Sequence, residues 1–447
     1  MKLRHEDQSL RAPPSRTLNS DGSAILTRSQ GEHATSNTAS AEQISKAERH
    51  MRRFFNQRVS GRQVNERLWS LRLLPPLLRQ TAKYGWGLRQ DAGMSVSQLF
   101  FDAWAFCREE ECWPAGYYKY RLYRRERRPF ARRFVHERIG LPVMKFLNDR
   151  EDVETLDDKL RFADACARAN LPHVETVAYF ENGKIAESQF EDSQDFPQED
   201  LFIKSTNLLC GRGVMRWRFD PVTKRYKHDG LCLTAPELIE HIRSISASGT
   251  TLPLWKRARS YVPRLGFEFE REDRKPRPYI IQRELKNHSL MARFTNGAVA
   301  TVRVVTARSP SGDPELIIAA LRMPTGMSRV DNFAAGGLAA PIDIPSGRLG
   351  AAVYKDPRKP DVDIHPDSKH RIEGELLPFW QEVQELCLRA HREFPRVATV
   401  GWDVAITTEG PKLIEANPGF CVEVVQMAHG KPLGHTKWPE MLMAHAR

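Results

Sequence analysis

GWDVAITTEGPKLIEANPGF, residues 401–420, holds two apolar strand-like runs divided by the turn-forming stretch Thr408-Glu409-Gly410-Pro411. In an extended strand, residues i and i+2 share a face, so Glu415 and Asn417 project together. A hairpin through Glu409 and Gly410 brings Asp403 alongside them. Three oxygen donors on one face suit Mg²⁺, a hard ion that takes one or two protein carboxylates and keeps the rest of its shell for water and phosphate. Solvated strand residues beside a turn are the plainer alternative.

Working upstream, DLFIKSTNLLCGRGVMRW places Lys204 at the end of an apolar strand, before a loop carrying Gly211 and Gly213. Such a loop brings backbone N–H groups close to phosphate oxygens, and the lysine adds a point charge. It is neither a Walker A loop nor a dinucleotide fingerprint. Beyond residue 150 the chain alternates short β-rich runs (VETVAYFENGKI, RPYIIQRELK, VATVRVVTAR, PELIIAALRM) with helical stretches at 157–170, 235–247 and 371–394. This irregular alternation predicts an α+β architecture with antiparallel sheets rather than a repeated βαβ unit.

These segments resemble, in order, the ATP-grasp superfamily, and specifically its sugar-transfer-associated branch, related to α-L-glutamate ligases and D-alanine–D-alanine ligases. LDDKLRFADACARANLP is similar to the segment whose lysine, here Lys159, binds ATP phosphate. FIKSTNLLCGRGV resembles the strand, second lysine and Gly-rich lid. YIIQRELKNH resembles the hinge that reads adenine, at Gln282, Arg283, Glu284 and Leu285. GWDVAITTEGPKLIEAN resembles the metal-binding end, with Asp403, Glu415 and Asn417 as ligands. The resemblance covers roughly residues 150–430 and implies two α+β subdomains gripping Mg·ATP.

It also implies a ligase that activates a carboxylate as an acyl-phosphate for attack by an amine or other nucleophile, in a sugar-transfer or cell-surface polysaccharide setting. Lys204, Arg303 and Arg322 are the catalytic cations it points to; each arginine sits among apolar neighbours, so its charge faces either a polar site or a salt bridge. Asp331, Asn332, His365 and Asp367 are candidate substrate contacts. The last two fall in HPDSKHRIEG, where the branch more often reads His-Pro-Asp-Thr-Gly. The rivals are a kinase that stops at phosphoryl transfer to a hydroxyl, and a basic nucleic-acid or membrane-surface binder with a vestigial nucleotide site.

The 447 residues carry a formal charge of +12, unevenly spread. Residues 1–150 hold 28 Lys+Arg against 15 Asp+Glu, whereas the rest hold 40 against 41. The densest run, RLYRRERRPFARRFVHER at 121–138, has eight arginines and invites an anionic partner or membrane surface. Its aromatic residues suggest instead an amphipathic helix with rings inward and arginines in water. The expected organisation is a disordered tail at 1–45, a basic helical region at 46–150, the ATP-grasp domain at 151–435 and a C-terminal tail at 436–447. No apolar run reaches membrane-spanning length, and the charged N-terminus lacks a secretory h-region, so the cytoplasm, including the inner membrane surface, is the expected location. Seven scattered cysteines read as buried free thiols.

Overall fold

The computed structural model describes residues 46, 50, 51, 53–55, 66–110, 112–206, 214–248, 277–326, 333 and 336–446, with backbone alone for 66–70. Gly211, Gly213, Asp331 and Asn332 lie outside these residues, as does the tail expected at 1–45.

Two antiparallel sheets carry the architecture. The first is seven-stranded and contains β1 (Thr176–Glu181), β2 (Lys184–Ser188), β3 (Leu201–Ser205), β4 (Met215–Asp220), β5 (Arg225–His228), β6 (Leu231–Leu233) and β7 (Tyr279–Arg283), in the order β2-β1-β7-β3-β4-β5-β6. The second contains β8 (Thr301–Arg308), β9 (Pro314–Met323), β10 (Leu338–Ile342), β11 (Val353–Tyr354), β12 (Thr399–Thr407) and β13 (Gly410–Asn417), in the order β11-β10-β9-β8-β12-β13. The predicted hairpin is present: Thr407 pairs Gly410 and Asp403 pairs Glu415.

The N-terminal helices are α1 (Glu66–Ala92), α2 (Val96–Glu109), α3 (Pro114–Lys119), α4 (Glu137–Leu147) and α5 (Arg150–Asp157). Ser95 starts α2 with a capping box closed by Gln98. Then come α6 (Lys159–Arg168), α7 (Ala235–Ser248), α8 (Ser289–Ala292), α9 (Trp380–Arg392), α10 (Val422–His429) and α11 (Trp438–Ala444). The helix expected over 371–394 begins only at Trp380, because Gly374 adopts φ +90° and Pro378 blocks helix extension at its N-terminal side.

Alternation along β8, β9 and β12 sends side chains to two separate cores. Val302, Val304, Leu321, Val404 and Trp402 face α9 and α6. Val305, Ala307 and Ala320 face α10, α11 and the N-terminal helices. Residues from 51 to 144 therefore share a continuous apolar core with the second sheet, so the basic helical region is one of its covering layers. The expected tail at 436–447 belongs to that core too: Trp438 and Leu442 are fully buried, and the indole Nε1 donates to Thr399 Oγ1 at 3.0 Å.

Residues 125–133 form a 3-10 segment rather than an amphipathic α-helix. The rings of Tyr117, Tyr118, Tyr120, Tyr123 and Phe134 do turn inward. Arg125, Arg132 and Arg138 are exposed, as that reading expects, but four of the eight arginines have carboxylate partners. Arg121 pairs with Asp361 at 2.8 Å, Arg124 with Asp91 at 2.6 Å, Arg128 with Asp102 at 2.5 Å and Arg132 with Glu110 at 2.7 Å. The six cysteines among the described residues are free.

The N-terminal layer is locked to the second sheet through Asn148, which is buried. Its Oδ1 accepts from the N–H groups of Ala398 and Thr399, and its Nδ2 donates to the carbonyls of Thr399 and Pro418. Asn148→Ala strips partners from all four backbone groups, so equilibrium urea unfolding should show a loss of about 2–4 kcal/mol. A loss near zero would mean that the amide does not tie the layers together.

Candidate functional site

Cross-strand register builds the site. Asp403 on β12 stands opposite Glu415 on β13 and opposite Arg303 on β8. Thr301, two residues before Arg303, stands opposite Arg322 on β9. Directly paired residues share a sheet face, so Glu415, Asp403, Arg303, Thr301 and Arg322 form a row on one face. Gly401 completes it: a Cβ there would sit 2.7 Å from Phe420 Cβ and 3.2 Å from Arg303 Cδ. Glycine lets Phe420 and the arginine stem close over the strand.

Asp403 is 1% exposed and is gripped by both guanidinium groups. Arg303 donates through Nε at 2.5 Å and Nη2 at 3.0 Å, and Arg322 through Nη2 at 3.0 Å. Burial opposes ionisation of Asp403, but Arg303 and Arg322 override it and hold the carboxyl well below its ordinary range. Arg322 is steadied in turn by Thr301 Oγ1, which accepts from its Nε and Nη2. Asn417 Nδ2 lies 3.5 Å from Asp403 Oδ2 and donates to Gly401 O at 3.3 Å.

Glu415 is the opposite case. Burial and the adjacent Asp403 carboxylate push its pKa up, and Lys204 and Lys159 only partly offset this. A half-buried carboxylate beside a fully buried one, with an amide oxygen from the same strand, is a donor set that a hard divalent cation would satisfy. Asp403, Glu415 and Asn417 therefore fit Mg²⁺ in donor chemistry, with Glu415 the carboxylate least compensated by protein cations.

The lysines come from the start of α6 and the end of β3. Asp158 caps α6 by accepting from Leu160 N and Arg161 N, which starts the helix at Lys159. Lys159 Nζ donates to Thr206 O at 2.8 Å, tying α6 to the end of β3. Lys204 is buried on β3, and its pKa falls to about 8; burial is the main cause and Lys159 adds to it, while Glu415 and Asp403 oppose. Lys159, Lys204, Asp403, Glu415, Asn417, Arg303 and Arg322 thus converge where the two sheets meet.

The hinge strand β7 runs between β1 and β3. Gln282 is buried within it, whereas Arg283 is exposed and pairs with Glu199. The Glu284 side chain pairs with Arg216 and, at 3.2 Å, with Arg218, and its N–H donates to Asp200 O at 3.0 Å. His288 N donates to Ile406 O at 2.9 Å, so the segment through Leu285 is anchored to a different sheet at each end.

His365 is fully buried, with Nε2 on Pro324 O at 3.0 Å and Nδ1 accepting from Ser368 N at 3.4 Å. Both ring nitrogens are engaged inside the protein, one by Pro324 O and one by the turn, which removes it from the substrate contacts expected from sequence. Asp367 is exposed and accepts from Gly326 N at 2.7 Å.

Sequence reasoning missed Thr301, although its i−2 relation to Arg303 was the signal that could have found it. It also missed a polar cluster at the start of α10. There the Cys421 thiol donates to Glu137 at 2.7 Å, and Lys119 Nζ donates to Glu423 at 2.5 Å. Burial pushes the Cys421 pKa to about 12, keeping it a thiol. No sequence signal joins Lys119 to Glu423, 304 residues away.

Two measurements test the electrostatics of the ligand-free protein. Asp403→Ala leaves two enclosed guanidinium groups without their carboxylate, so urea unfolding should show a loss of about 3–5 kcal/mol; an unchanged midpoint would contradict the clamp. Lys204 binds its proton less tightly in the folded state than in the unfolded one. Wild-type stability should therefore gain on Lys204→Met by up to about 1.4 kcal/mol per pH unit between about pH 8 and 10.5. Parallel pH profiles for the two proteins would rule that out.

A comparison with curated proteins finds no match. Among solved structures, the chain is similar to the ATP-grasp ligase PsnB in complex with a minimal precursor, at 12% identity and TM-score 0.35, covering 70% of this chain and 68% of that one. D-alanine–D-alanine ligase from Bacillus anthracis in complex with ATP gives 10% identity and TM-score 0.35, covering 66% and 67%. N5-carboxyaminoimidazole synthase from Aspergillus clavatus gives 10% and 0.30, and the chain spans only 46% of its length while 61% of the chain is covered. The family model for sugar-transfer associated ATP-grasp proteins matches residues 142–438, running from within α4 to the start of α11. With that match spanning well over half its length, the chain belongs to the sugar-transfer associated ATP-grasp family.

Proposed function

We propose that the protein is an ATP- and Mg²⁺-dependent ligase that activates an acceptor carboxylate. The observation that carries this reading is the convergence of Lys159 from α6 and Lys204 from the first sheet with Asp403, Glu415, Arg303 and Arg322 from the second. In the proposed reaction an acceptor carboxylate oxygen bonds to the γ-phosphorus as the bond to the ADP oxygen breaks. An amine or other nucleophile then attacks the acyl carbon and expels inorganic phosphate.

The residues act by placement and charge. Lys204, whose proton burial loosens, is held more firmly in its protonated form when a phosphate enters, because an adjacent anion favours the charged amine. Arg303 and Arg322 hold cationic charge in a site largely closed to water, where it acts strongly on charge spreading over phosphoryl oxygens. Mg²⁺ held by Asp403, Glu415 and Asn417 would neutralise phosphate charge as a Lewis acid. The segment Gln282 to Leu285 would read the adenine. Glu284 already gives its N–H to Asp200, which leaves Leu285 as the next backbone group of the hinge. No side chain here is required as a covalent nucleophile.

A sugar-transfer or polysaccharide substrate accords with the family description. An anionic partner bound through 121–138 draws no support from the side-chain pairing, since four of those arginines already face carboxylates within the fold.

Glu415→Gln separates metal binding from folding. Removing a carboxylate whose charge burial disfavours should leave ligand-free stability unchanged or higher. The wild type should be stabilised by Mg·ATP, by about 2.7 kcal/mol at a hundredfold excess over Kd. That gain should shrink sharply in Glu415→Gln and on chelation of Mg²⁺. Equal thermal shifts in both proteins, or none in the wild type, would overturn the assignment. Product mass analysis showing ADP with a phosphorylated hydroxyl, and no ligated product, would favour the kinase instead.

A further inference from the structure

α1 has one face in the core, through Leu73, Leu77, Tyr84 and Leu88, and a second apolar face outside it. Leu71 is 62% exposed, Leu78 59% and Trp86 69%. With Pro75 and Ala82, also exposed, they follow one another at intervals of four, three, four and four. At about 100° per residue these five positions fall within an arc of about 80°, over a length of about 22 Å. Arg72, Arg79 and Lys83, all exposed, run along one border of this stripe, and Arg89 lies over the Trp86 ring at 4.2 Å. Residues 71–90 contain these four basic residues and no acidic one.

We propose that this face of α1 docks on an anionic lipid surface, with Leu71, Leu78 and Trp86 entering the headgroup boundary and Arg72, Arg79 and Lys83 meeting lipid phosphates. An apolar stripe with an indole and a cationic border is the composition that lies in a membrane interface, where apolar burial and attraction to anionic lipid act together. A second copy of the chain fits less well. A two-fold contact brings the same patch against itself, and here that sets Arg72, Arg79 and Lys83 against their own copies, with no acidic residue in 71–90 to separate them. A duplex backbone would use the cations but not Leu71 and Leu78. The proposal is independent of the ligase reading, and it places the basic contact surface on α1, where the exposed cations border an apolar stripe, rather than on 121–138, where four of the eight arginines pair with carboxylates.

The test is co-sedimentation of the full chain with unilamellar vesicles, either pure phosphatidylcholine or phosphatidylcholine with phosphatidylglycerol, at low and high salt. The wild type should pellet with the anionic vesicles, stay in solution with the neutral ones, and bind less as salt rises. Leu78→Asp/Trp86→Asp should weaken binding at least tenfold with an unchanged thermal midpoint, since both side chains lie outside the core. Arg79→Glu/Lys83→Glu should do the same without touching the apolar stripe. Sedimentation velocity should give the same mass for all three proteins. The proposal is overturned if the wild type ignores anionic vesicles at low salt, if both double variants bind as well as the wild type, or if the variants change only the oligomeric mass.

Discussion

The buried carboxylate of Asp403 between Arg303 and Arg322 is the interaction on which the rest of the structure depends. Two guanidinium groups and one carboxylate, almost closed to water, are tolerable only while all three are present in good geometry. That geometry comes from the register of β8, β9, β12 and β13, so the same pairing that closes the second sheet lines up the site residues. The net positive balance of the trio accords with a place where phosphate charge is received. Glu415, left with only partial compensation from the lysines, is the complementary deficit that a divalent cation would fill.

The lysines enter this arrangement from α6 and from the first sheet. Lys159 is fixed by the start of a capped helix and by Thr206 O, and Lys204 by the end of β3. The segment 284–288 spans from Asp200 to Ile406, so it links the two sheets. Depressing the Lys204 pKa and raising that of Glu415 stores electrostatic disadvantage in the ligand-free protein. Such perturbed groups gather where a ligand of opposite charge relieves them.

The N-terminal helices play a different part from the one their charge suggests. Their arginines at 121–132 stitch α1, α2 and the 355–361 segment together through Asp91, Asp102 and Asp361. Asn148 and the buried tyrosines then fuse the layer to the second sheet. A dense run of one charge, read alone, looks like a binding surface, because its acidic partners are scattered over more than 200 residues of chain.

Much of the site was legible in the sequence because strand alternation is a local rule. Glu415 and Asn417 had to share a face, Asp403 had to return across the turn, and Lys204 had to end a strand, whatever the rest of the chain did. The family resemblance extended that local reading to Lys159 and the hinge. What only the tertiary structure decided were relations between distant segments. These were the pairing of Arg303 and Arg322 with Asp403 itself, the engagement of His365 inside the protein, the burial of Trp438 and the outward face of α1. The physical reason is that a charge or a ring declares its type locally, whereas its partner and its exposure are set by the register and packing of strands and helices far away in the chain.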